Sequence, residues 1–164
     1  MTRSPSQITY RVIGTIHSPF QDPVDMPIQP SSAEGAEGWV EVRPEYQDGL
    51  GDLEGFSHLI LIYDFHRNKG MELRVVPFLD DVPRGVFATR APKRPNPIGI
   101  SVVRLLELRG HRLRVGRLDV LDGTPLLDIK PYVSYFDRPE GARMGWIEKN
   151  RHQVAEKRSD DRFQ

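Results

Sequence analysis

A chain of 164 residues in which 23 Lys and Arg balance 23 Asp and Glu is large enough for one hydrophobic core and short for two. It contains no cysteine, which excludes disulfides and thiolate metal sites and accords with a reducing, cytoplasmic setting. No apolar run approaches the length of a membrane span, and residues 1–7 lack the apolar segment of an export signal, so neither membrane nor secretion is expected.

In chain order, Ile8 to Ile16 mixes β-branched and polar residues and predicts a first strand. Gln21 to Gly38, punctuated by Pro, Ser and Gly, predicts a loop long enough to be functional or mobile. Trp39 to Val42 predicts a short strand. Ser57 to Phe65, apolar almost throughout, predicts one covered on both faces. Val75 to Leu79 and Val86 to Thr89 predict short strands, and Ile98 to Leu108 a long one. Leu108-Arg109-Gly110-His111-Arg112 predicts a hairpin turn, with Gly110 free to take positive φ. Alternation through Leu113 to Leu121 slips at Gly116-Arg117, where a bulge would switch the inward face. Leu126 to Val133 predicts the last strand. Trp146 to Arg158 is the one helical candidate, weakly amphipathic, and the charged stretch Glu156 to Arg162 is expected to fray. There is no internal repeat, and short strands with Gly and Pro punctuation predict a mainly-β barrel or sandwich.

Net neutrality hides an uneven distribution. Arg84, Arg90, Lys93, Arg94, Arg104, Arg109, Arg112, Arg114 and Arg117 face a lone acid, Glu107, whereas the preceding stretch holds Glu45, Asp48, Asp52, Glu54, Asp64, Glu72, Asp80 and Asp81. Two readings stand. The arginines form a basic face for a polyanion, or they alternate outward on solvated strands and pair with acids.

Three segments carry chemistry. Ala88 to Gly99 holds three prolines in six residues, Pro92 to Pro97. Such a backbone presents Arg90, Lys93, Arg94 and Asn96 with little entropy left to lose. Fixed guanidinium groups suit a carboxylate or phosphate; the plain alternative is a stiff connector. Leu121-Asp122-Gly123-Thr124 is a turn signal that also sets a carboxylate and backbone groups at a strand end. Beyond it, Asp128, Lys130 and Tyr132 share one strand face, so the first two can pair and Tyr132 can lean on an aromatic substrate. His58 and His66 sit at opposite ends of one strand, roughly 26 Å apart, too far to share a metal. No metal-ligand spacing, Walker motif or G-x-G-x-x-G after a strand is present.

Six segments in order carry a resemblance: Ile13 to Phe20, Leu53 to Leu59, Phe65-His66, Gly85 to Arg90, Arg94 to Gly99 and Leu118 to Tyr132. The chain resembles the TrmO, or TsaA-like, family of S-adenosylmethionine-dependent tRNA adenine N6-methyltransferases. The resemblance implies a single β-barrel over residues 1–140, a short irregular or helical and partly mobile tail over 141–164, and a homodimer with the cofactor near its interface. It implies a tRNA substrate, threonylcarbamoyl-adenosine beside the anticodon, methylated on the amino nitrogen. Many bacterial members carry a further C-terminal domain, which this chain is expected to lack. By matching positions, S-adenosylmethionine would touch Gln29-Pro30-Ser31, His66, Arg67, Arg90, Ile100 and Leu121-Asp122-Gly123-Thr124, with no metal. Arg90 would hold the methionine carboxylate and Asp122 the ribose. Lys93, Arg94, Arg104 and Lys130 would meet the tRNA. Tyr132 would stack on the splayed base and Asn96 would bond the target nitrogen, as the catalytic pair. A barrel that binds S-adenosylmethionine or a similar nucleotide without turnover, and a small-molecule methyltransferase, are the alternatives.

Overall fold

The computed structural model describes residues 6–24, 26–28, 33, 35–153 and 156–163. Eight strands form within it: β1 (Gly14–His17), β2 (Glu37–Val42), β3 (His58–Asp64), β4 (Arg74–Val75), β5 (Arg84–Gly85), β6 (Ile98–Arg109), β7 (Arg112–Gly116) and β8 (Thr124–Pro131). Six of them close into a barrel in the order β1-β2-β7-β6-β3-β8, and β4 and β5 form a separate two-stranded ribbon. All barrel pairings are antiparallel. A mainly-β barrel is therefore what the chain forms.

Period-2 alternation decides what faces inward. In β3, Leu59, Leu61 and Tyr63 are buried, and His58, Ile60, Ile62 and Asp64 between them are half-exposed. Ile16, Val40, Val42, Val103, Leu113, Val115 and Leu126 complete the interior. Near one end, the short 3₁₀ segments Pro44–Leu50 and Leu53–Gly55 insert Leu50 and Leu53 into the same core. Each fully buried Leu or Ile contributes about 1.5–3 kcal/mol relative to exposure, so the interior holds the sheet closed without help from a helix. Among the described residues the one α-helix, α1 (Ser134–Asp137), is a single turn.

Several expectations shift. Residues 8–12 are not in a strand, and β1 begins at Gly14. The Val75 to Leu79 strand shrinks to a two-residue β4, and Val86–Ala88 is a 3₁₀ turn. The hairpin turn forms as expected, with Gly110 at φ +57°. The slip at Gly116-Arg117 is real, but β7 ends there: Arg117 takes φ +59° and the chain leaves the ladder. Leu118 and Val120 still turn inward and are buried. The bulge itself falls on the facing strand, between Leu105 and Glu107 of β6. The tail does not fray over 158–163. Ser159 N–H donates to Met26 O at 2.9 Å, Met26 N–H to Ser159 Oγ at 2.9 Å, and Arg162 Nη1 to Pro77 O at 2.9 Å. Phe163 meets Phe78 edge-on at 5.0 Å.

Candidate active site at one rim of the barrel

The end of β3, the start of β6, the start of β8 and the segment after β7 meet at one rim. There they enclose a cavity of about 620 Å³, roofed by the loop after β1 and by the tail. Its walls include Met26, Ile28, Phe65, Ile98 and Ile100, with Arg90, Arg94, His66, Arg67, Asn68 and Asp119 among the polar groups. Ile98 and Ile100 are 41% and 45% exposed, so the mouth is apolar.

The residues expected to hold a cofactor mostly converge here. His66, Arg67, Arg90, Ile100, Leu121 and Thr124 all line the cavity. Thr124 Oγ1 lies 3.3 Å from His66 Nδ1. Burial, with Arg67 beside it, keeps His66 below the usual imidazole range, so it stays neutral at pH 7. Arg67 Nη1 donates to Gln21 O at 2.7 Å, which ties the long loop to the rim. Asp122 stands just outside the wall. Its Oδ1 accepts from Ser18 N–H at 3.1 Å and lies 3.5 Å from His17 Nδ1. Partial burial opposes its charge, but Ser18, Gln21 and His17 outweigh that and hold the carboxyl below its ordinary range. Gly123, at φ +75°, completes the turn by donating from its N–H to Ile16 O at 2.9 Å. Gln29, Pro30 and Ser31 lie outside the described residues.

The residues expected to meet substrate divide. Arg94 lines the cavity and spends Nη1 on the carbonyls of Thr89 and Ala91, both at 3.1 Å. It thereby stiffens the proline loop. Lys93 is paired with Glu72 at 3.0 Å. Asn96 is exposed on the loop and is not among the lining residues. Arg104 and Tyr132 lie at the opposite rim. Arg104 is opposite His58 in the β3–β6 register, and Tyr132 meets the His58 ring edge-on at 6.3 Å. Lys130 pairs with Asp128 at 2.7 Å, as their shared face predicts.

The two readings of the arginine-rich stretch are resolved largely in favour of pairing. Arg84 bonds Asp80, Arg109 bonds Glu107, Arg112 bonds Glu41 and Arg114 bonds Glu37. Glu37 and Glu41 lie on β2 and Glu107 on β6, the two strands that flank β7, and of these four acids Asp80 alone comes from the preceding acidic stretch. Among the described residues, Arg104 and Arg117 make no ion pair.

Sequence reasoning missed one group. Tyr63 OH lies 2.9 Å from Ser101 Oγ, and Ser101 Oγ donates to Asp119 Oδ1 at 2.6 Å. Tyr63 and Asp119 both face the cavity. Desolvation by the surrounding wall pushes the Asp119 carboxyl up to about 6, against the opposing pull of Ser101, its own backbone N–H and the Arg90 charge. Burial, and then the Asp119 charge, push the Tyr63 phenol up as well. The available signal was a single acid between Leu118 and Val120 in an apolar run. No group of His, Asp or Glu among the described residues has metal-binding geometry, and no helix is long and apolar enough to cross a membrane.

Comparison with known proteins bears on this rim. Residues 15–138 match the family described as the tRNA-methyltransferase O N-terminal domain. A probable S-adenosyl-L-methionine-binding protein of Pyrococcus abyssi is 60% identical over 159 residues, covering 97% of this chain and 86% of that one. The tRNA (adenine(37)-N6)-methyltransferase of Escherichia coli is 39% identical over 140 residues, covering 79% of this chain and 60% of that one. The crystal structure of TrmO from Pseudomonas aeruginosa superposes with a TM-score of 0.73 at 41% identity, covering 85% of this chain and 62% of that chain. The chain thus spans about three-fifths of these two bacterial proteins and most of this archaeal one.

Proposed function

The chain belongs to the tRNA-methyltransferase O family through its N-terminal domain, and from that premise we propose that it methylates the N6 amino group of adenosine in tRNA. The methyl donor is S-adenosylmethionine, and the substrate is the threonylcarbamoylated adenosine beside the anticodon. A cytoplasmic setting follows from that substrate. The observation that carries the reading is the rim cavity, in which a guanidinium, an apolar wall and the Leu121–Thr124 turn converge.

The cavity fits the donor. Its volume falls within the roughly 300–1,000 Å³ of small-molecule sites. Arg90 offers a fork to the methionine carboxylate, and Phe65, Ile98 and Ile100 offer apolar surface to the adenine and the thioether chain. Asn68 Oδ1 is buried with no partner among the described residues, an acceptor for which an ammonium or amino group would compensate. Asp122 is the proposed ribose partner. When bound, S-adenosylmethionine supplies an electrophilic methyl group on a sulfonium. The chain's own task is alignment and proton removal, because the exocyclic nitrogen must approach in line with a lone pair delocalised into the ring.

Arg104 and Tyr132 lie about 20 Å, and Lys130 about 13 Å, along β3 from the cavity rim. Contacts there would position the tRNA through its phosphates without reading the reacting base. We place a homodimer contact on the outer face of β3 and β6. There Ile60 stands beside Val102 and Ile62 beside Ile100, with Ile98 at the cavity mouth. A continuous apolar stripe of this kind is characteristic of an interaction face.

The test is a calorimetric titration with S-adenosylmethionine on wild type, Arg90→Ala and Lys93→Ala, followed by methyl transfer to tRNA. Saturable binding lost in Arg90→Ala and kept in Lys93→Ala is expected, with RNA affinity that falls steeply as salt rises. Equal affinities in both variants would overturn the role of Arg90. A second reading, a binding module without turnover, is favoured by the names of archaeal relatives, which state binding alone. Tight cofactor binding with no methyl transfer to any RNA would establish it.

A further inference from the structure

We infer that Asp119 is the proton acceptor of the methyl transfer, an inference that rests on the reading of the cavity given above. Three strands of sequence far apart in the chain, around Tyr63, Ser101 and Asp119, build one hydrogen-bonded line that ends on a carboxylate at the cavity wall. Ser101 and Tyr63 are 1% and 4% exposed, so this line is set into the barrel interior, where apolar side chains would pack at lower cost. Tyr63 is held from behind as well. A Cβ at Gly99 would overlap its ring, so only a glycine lets the ring pass across β6 at this point. The arrangement fixes Oδ1 of Asp119 on Ser101 and gives the carboxylate one orientation towards the cavity.

The chemistry requires such a group. As the exocyclic nitrogen forms its bond to the methyl carbon, the carbon–sulfur bond breaks and its electron pair stays on sulfur as a neutral thioether. The nitrogen then carries an excess proton. That proton passes to Oδ2 of Asp119, leaving a methylated neutral nitrogen and a carboxylic acid, which afterwards releases the proton to water. A carboxyl held near 6 is mostly ionised at pH 7 and still basic enough to accept a proton, the balance that general bases require.

Asp119 faces Tyr63 from β3, Ser101 from β6 and the Arg90 charge from the proline loop. His66, Arg67, Lys69 and Arg94 line other parts of the same cavity, with Asp22 and Asp160 on the roof. Among the described residues the Ser101 hydroxyl hydrogen-bonds Tyr63 and Asp119 alone, so a change there reports on the carboxylate.

The experiment measures single-turnover methylation of tRNA against pH, and S-adenosylmethionine affinity by calorimetry, for wild type, Asp119→Asn and Ser101→Ala. Asp119→Asn is expected to bind the cofactor within about threefold of wild type and to lose roughly 10²–10⁴ in rate, together with the acidic limb of the profile. Ser101→Ala removes one donor from the ionised carboxylate. It is expected to move that limb about one to two pH units higher with cofactor affinity unchanged. Because Ser101→Ala keeps the carboxylate, it serves as the test if Asp119→Asn fails to fold. Wild-type rate and profile in Asp119→Asn, an unmoved limb in Ser101→Ala, or loss of cofactor binding in Asp119→Asn would each overturn the inference. Failure of wild type itself to methylate any RNA would instead overturn the methyltransferase reading on which it rests.

Discussion

Replacing Gly99 by alanine puts a methyl group where the Tyr63 ring already lies. The new Cβ would overlap Cε2 and stand 2.6 Å from Cζ and 2.8 Å from Cδ2. Tyr63 is 4% exposed, and the space open to its ring is the cavity it lines, away from Ser101. Overpacking of this kind costs about 1–3 kcal/mol. Displacing the ring also breaks the 2.9 Å contact between its hydroxyl and Ser101, worth about 0.5–1.5 kcal/mol. The sum is roughly 2–4 kcal/mol. With a urea slope of about 2 kcal/mol per molar, the unfolding midpoint should fall by about 1–2 M without a change in slope. A double-mutant cycle isolates the cause. In a Tyr63→Leu background the same alanine should cost less than about 1 kcal/mol, since the obstructing ring is gone. A cost within about 0.5 kcal/mol of zero in wild type, or an undiminished cost in the Tyr63→Leu background, would refute the steric argument.

Two further outcomes follow from the site. Because the folded-state pKa of Asp119 is raised to about 6 from 3.8, the fold prefers the protonated acid, and ionisation weakens it by up to about 3 kcal/mol as pH rises from 4 through 6. Denaturant unfolding of Asp119→Asn and wild type across that window should therefore diverge, the variant gaining relative stability with pH; a flat or opposite difference would contradict the assignment. Phe163→Ala removes an edge-on ring contact with Phe78 at 5.0 Å and part of the cavity wall, worth about 0.5–1.5 kcal/mol. S-adenosylmethionine affinity should fall by about two- to tenfold and proteolysis within residues 156–163 should accelerate, with the urea midpoint of the barrel unchanged. Unaltered affinity would show that the tail does not contribute to the site.

What could be read from the sequence was what depends on near neighbours. The apolar run Leu59 to Tyr63, the long strand from Ile98, the Gly110 turn and the Asp122-Gly123 turn all formed where local pattern placed them. The proline loop likewise delivered Arg90 to the cavity. What could not be read depends on barrel closure. Ser101 looks like one polar residue in a strand and Tyr63 like one aromatic in another. Only the β3–β6 register and the turn of the chain after Arg117 bring both against Asp119. Tyr132 and Arg104 failed to join the cavity for the same reason: they sit on strands that reach it, but at the far ends. The tail misled through composition. Its charges suggested solvent, yet Arg162 lays its guanidinium over the Phe78 ring at 5.4 Å and bonds the Pro77 carbonyl, so a cation serves here as packing.

The strand order has a consequence for how the molecule is made. The first strand closes the ring against the last, β1 against β8, with Gly14 opposite Leu126. More than a hundred residues must therefore be available before the seam can form. The pairings of β2 with β7 and of β3 with β8, such as Val40 with Leu113 and Leu61 with Ile129, are also far apart in the chain, which places it among slow folders with high contact order. During synthesis, β1 and β3 would wait with one edge unpaired until β8 appears, and unpaired edges invite pairing with other chains. A truncation that removed β8 would leave two such edges permanently open, and the product expected from it is an aggregate.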